Sequence, residues 1–197
     1  MKIAEAQPTY YANRKQLVDQ IRTIYTQKQK AESRYKVTGD ASFAEEAATL
    51  ELSLDATNKA FEENQKVIDS LMEQWVAVSN MEAARQQGEA MAEEVKDIGK
   101  IMTVFRRLAN GDNVQQYDEK KLMEYDEKMY QAAKDMQMLA RQMKEREHKD
   151  YDSLWDDEEK PEYSNPMEIA DNTEFVGELP DIEIPDVSVT TEIDIEI

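Results

Sequence analysis

The chain has no cysteine, which excludes disulfides, thiolate nucleophiles and zinc sites built on sulfur. It has one histidine, too few for the paired Glu-x-x-His motifs of di-iron helical bundles. The single copy, Glu145-Arg146-Glu147-His148, lies at a highly charged helix end. Five glycines are present, and none of them builds a phosphate-cradling loop. Asp150-Tyr151-Asp152 has the opening of a calcium loop, but Leu154, Trp155 and Pro161 stand where a ligand, a glycine and a glutamate are needed. No apolar run approaches the roughly 20 residues of a membrane span, and residues 1–8 lack the apolar core of a signal peptide. The expectation is a cytoplasmic protein that is not an enzyme and holds neither metal nor cofactor.

Proline is missing where it would matter most. Pro8, Pro161, Pro166, Pro180 and Pro185 leave residues 9–160 free of it, as an all-helical body requires. Charge is also unevenly spread. Residues 150–197 carry 17 of the 43 acids and one of the 24 bases, so they hold −16 of the net −19.

What is present is helical periodicity. A first helix is expected over residues 9–38, capped by Thr9 and stopped by Gly39. Leu17, Ile21, Ile24, Ala31 and Tyr35 form its apolar stripe. A very long second helix follows over 42–110, opening on the capping box Ser42-Phe43-Ala44-Glu45 and closing at Asn110-Gly111. Phe43, Leu50, Leu54, Phe61, Ile68, Leu71, Trp75 and Val78 recur along it at spacings of three, four or seven, and Phe61 and Trp75 are expected to be buried against the first helix. Residues 9–39 hold seven bases and two acids, whereas 40–75 hold nine acids and two bases. That complementarity favours an antiparallel hairpin. Near Gly88 the stripe lapses and resumes out of phase at Met91, Val95, Ile98, Met102 and Phe105. The helix either continues with a rotated face or breaks there into a four-helix bundle.

A third helix is expected over 117–148. Leu122, Met129, Met136 and Met143 lie seven apart, with Tyr125, Ala132 and Leu139 between them, so this seam should fold back on 91–108 as a second hairpin. Met123 and Met138 fall off the seam, where an adaptable contact face could form. The fold class is therefore all-α, with three helices in long antiparallel hairpins or a coiled coil over 9–148. Residues 149–197 read as an acidic, largely disordered tail.

Two stretches of the tail stand out as partner-binding candidates. Tyr151, Leu154 and Trp155 sit at i, i+3 and i+4 among acids, the layout of a short docking motif with an aromatic anchor. The alternative is that Trp155 folds back onto the helices. Val187, Val189, Thr191, Ile193, Ile195 and Ile197 alternate with polar residues, a strand pattern whose partner would be another molecule's sheet edge. The excess of acid disfavours nucleic acid. The sequence thus points to a non-catalytic helical interaction or adaptor protein with a protein partner, with self-association also open. The alternative is a chaperone or scaffold for a secretion or assembly apparatus.

Overall fold

The computed structural model describes residues 1–143, 148–156 and 161–185. Of these, 79% are helical, in five helices and without a strand. They are α1 (Ile3–Thr38), α2 (Ala41–Ala109), α3 (Gln116–Tyr125), α4 (Glu127–Met143) and α5 (Pro166–Asn172). The described residues are all-α, which the proline-free interval permits. The chain divides into two compact units, Met1–Glu82 with Ser164–Ile197, and Ala83–Tyr163. Helix α2 contributes to both and passes through Gly88 without a break.

In the first unit, α1 starts at Ile3 rather than Thr9. The Glu5 carboxylate accepts the Lys2 amide at 3.2 Å, and Pro8 lies inside the helix. An interior proline costs about 3 kcal/mol. Burial of Ile3, Ala6 and Tyr10 against Val67, Ile68 and Leu71 of α2 opposes that cost. Gly39 ends α1 with φ 72°, its amide bonded to the Tyr35 carbonyl. Asp40, not Ser42, caps α2: its Oδ1 accepts the Ser42 amide at 3.0 Å. That bond, with one from the Ser42 hydroxyl, holds the Asp40 carboxyl below its usual range.

Further contacts join α1 to the first half of α2. Ile24 and Ala31 pack with Leu50, Lys28 pairs with Glu51 at 3.3 Å, and Arg34 lies over the Phe43 ring. Near the other end, the fully buried Asn64 donates from Nδ2 to the Tyr10 carbonyl. Partner numbers fall along α2 as they rise along α1. Phe61 and Trp75, expected at the centre of this packing, are only half-buried; Leu71 is fully buried instead.

In the second unit, Ile101, Val104 and Leu108 of α2 pack with Leu122 of α3 and Ala133 of α4. The single third helix of the sequence reading is two helices. Asp126 is extended at φ −155° and ψ 109°, and its amide closes α3 on the Leu122 carbonyl. Its carboxylate then accepts the Met129 amide at 3.0 Å, opening α4. Aspartate favours such a cap because its side chain competes for backbone amides. The turn before α3 uses Gly111 at φ 90°, where a Cβ would come within 3.1 Å of the His148 ring.

Candidate partner-binding surfaces

The acidic stretch past α4 is not an unstructured appendage where it is described. Asn113 and Asp150 form a bridge, and the Asn113 side chain donates to the Asp150 carboxylate at 2.7 Å. The Tyr151 ring lies 4.0 Å from the Arg107 guanidinium. Leu154 and Trp155 pack against the core of the second unit. Trp155 Nε1 donates to Asp97 at 3.0 Å, and Lys100 sits over its ring. The three residues singled out as a docking motif are therefore brought together against their own helices. Glu145 of the Glu-x-x-His motif lies outside the described residues.

The buried Asp118 holds this segment in place. Its two oxygens accept the Ser153 hydroxyl at 2.6 Å and the Leu154 amide at 3.1 Å. Asp118→Ala leaves both donors without their acceptor, and hydrogen bonds to charged groups contribute about 1.5–3 kcal/mol. The expected loss is therefore about 2–3 kcal/mol by chemical denaturation, with faster amide exchange at 153–155. Unchanged exchange there would remove Asp118 from this role.

Residues 164–185 are likewise packed, as a strap across the first unit. Asn165 caps α5 through its side chain, Ala170 is buried, and Trp75 Nε1 donates to Asp171 at 2.7 Å. Gln74 exchanges two hydrogen bonds with the Val176 backbone. Phe175, Leu179 and Ile182 pack against the Ile3–Tyr10 and Val67–Leu71 cluster. Farther along, the Tyr10 hydroxyl donates to the Pro180 carbonyl at 2.8 Å and Gln20 to that of Pro185. The disorder expected of 149–197 is thus not found over 149–156 and 164–185, where Leu154, Trp155, Phe175, Leu179 and Ile182 pack against the helices. The alternating residues Val187, Val189, Thr191, Ile193, Ile195 and Ile197 lie outside the described residues.

Burial, and next the charge of Asp181, raise the Tyr10 phenol above its ordinary value. A raised pKa means that the neutral form is favoured in the folded state. The associated stability is present below the ordinary tyrosine range and is lost as pH rises through the folded value. Alkaline titration should therefore loosen the strap and shift Trp75 emission, and Tyr10→Phe should suppress that step. An identical transition in the variant would place the titrating group elsewhere.

The apolar residues left outside are as informative as those buried. Ten of the eleven methionines are exposed, and only Met129 packs against a core. From residue 83 to 99, α2 buries no side chain among the described residues. Met91 is 61% and Val95 67% exposed, and Ile98 and Met102 are also exposed. Helix α4 buries only Ala133 and Gln137, while Met136 at 50%, Leu139 at 55% and Met143 at 61% face out. The expected seam of 122, 129, 136 and 143 therefore holds at Leu122 and Met129 and fails at Met136 and Met143.

Two hydrogen bonds explain the turn of α4. Gln137 Nε2 donates to the Asp112 carbonyl at 3.0 Å, and Arg141 Nε to the Gly111 carbonyl at 3.1 Å. Satisfying these buried carbonyls points the polar edge of α4 inward and leaves Met136, Met138 and Met143 outside. Among the described residues, no three His, Cys, Asp or Glu side chains are grouped to hold a metal ion, and no helix is long and apolar enough to cross a membrane. Comparison with known protein families, characterised proteins and solved structures finds no match for this chain.

Proposed function

We propose that the protein is a non-catalytic helical interaction protein that engages a protein partner through the exposed apolar faces of its second unit. The observation that carries this reading is the bare stretch of α2 between residues 83 and 99. Helices owe most of their stability in water to packing of an amphipathic face. Here surface pairs such as Lys96 with Glu93 give about 0.2–0.5 kcal/mol each, and Trp155 adds a hydrogen bond at Asp97. A partner that covers Met91 and Val95 would supply the missing packing, and flexible methionines suit an adaptable contact.

A photo-crosslinking side chain placed at Val95 or Leu139 of the full chain tests the reading in the source cells. Protein adducts should form at both positions and be absent at Val37, which is exposed on α1 outside these faces. Equal labelling at all three positions would contradict it. The same exposed methionines favour the chaperone or scaffold alternative, for which many distinct adducts are expected rather than one or two.

A further inference from the structure

We infer that the occupant of these faces is a second copy of the chain, with α4 of each copy laid along residues 88–102 of the other. This rests on the reading above and names its partner. At 100° per residue, Gly88, Met91, Val95, Gly99 and Met102 fall within an arc of about 80° on α2, with Ile98 at its edge. Ala132, Met136, Leu139 and Met143 of α4 fall within a similar arc of about 60°. Each face keeps large apolar side chains in solvent. Each also spans a similar length, about 16–21 Å at the helical rise.

The two glycines strengthen the match. Gly88 and Gly99 each cost an exposed helix about 1 kcal/mol relative to alanine. Among the described residues, nothing beyond the helix's own adjacent turns lies within 4 Å of where their Cβ atoms would be, so no packing contact there uses their small size. A helix laid on this face would use it, because missing side chains let backbones approach closely. Met91, Val95 and Ile98 on one side and Met136, Leu139 and Met143 on the other, which sequence periodicity joins in one hairpin, are thus all exposed within one copy. A reciprocal exchange covers all four faces of a pair and closes as a two-fold dimer with no face left to propagate.

The test uses the full chain, whose lack of cysteine leaves a clean background. Light scattering should give twice 22.8 kDa. Single Val95→Cys and Leu139→Cys chains, mixed and oxidised, can form a 95–139 disulfide only between two molecules. That bond should form about a hundredfold faster than between chains meeting at random, as a fixed interface raises the effective concentration. Pairs of 95 with 95 or of 139 with 139 should lag behind it. A monomer at all concentrations, or equal rates for the three pairings, would overturn the inference. In either case crosslinking to a different protein at 95 and 139 would leave the proposed function standing, and its absence would remove both.

Discussion

Leu71→Ala should lower the stability of the first unit by about 2–5 kcal/mol, the range for leucine truncated in a closed core. Leu71 is fully buried. It lies where Ile3, Ala6 and Tyr10 of α1 meet Val67 and Ile68 of α2, with Phe175, Leu179 and Ile182 of the strap on the same cluster. A cavity there is lined from three separate stretches of chain, so no single side chain can close it. Trp75 packs against the same cluster and reports its loss. Denaturation followed at Trp75 should show the shift, whereas Phe61→Ala should cost clearly less because Phe61 is half-buried. A larger effect at Phe61 than at Leu71 would mean that the stripe is rotated from the position described.

Leu122→Ala should have an effect of similar size, about 2–5 kcal/mol, in the second unit. Leu122 is fully buried among Ile101, Val104, Leu108 and Ala133, and its carbonyl receives the amide of Asp126 that closes α3. The expected readouts are Trp155 emission, since Trp155 packs on this cluster, and faster exchange at the start of α4. Met136→Ala, one α4 heptad on from Met129 in the same seam, should change stability by less than about 0.5 kcal/mol, as surface substitutions usually do. A loss at Met136 equal to that at Leu122 would show that the seam is buried within one copy.

The comparison of Leu122 with Met136 marks where sequence periodicity stops being informative. A seven-residue repeat says that one face of a helix is apolar, not which way that face is turned. In α4 the direction is set by the Asp112 and Gly111 carbonyls, which draw Gln137 and Arg141 inward. Nothing in the spacing announces those bonds. Asp126 was legible as a cap in principle, but its signal was overridden by heptads that run through it. The strap was hidden for a related reason. Phe175, Leu179 and Ile182 are single apolar residues among acids, and composition averages them into a disordered tail. Features with local causes were readable: Gly39 and Gly111 adopt positive φ, and Lys28 meets Glu51 as the opposed charges of the two segments imply.

The central claim is that apolar faces left bare within one chain are covered by association. Peroxide oxidation of the methionines, read residue by residue by mass spectrometry, tests it most directly. Met91, Met136 and Met143 are candidates for cover, while Met1 and Met167, also exposed, serve as references outside these faces. In dilute chain all five should oxidise at similar rates, with the half-buried Met129 slower. As concentration rises, Met91, Met136 and Met143 should become protected together while Met1 and Met167 do not change. Rates for the three that track the references at every concentration would contradict the account.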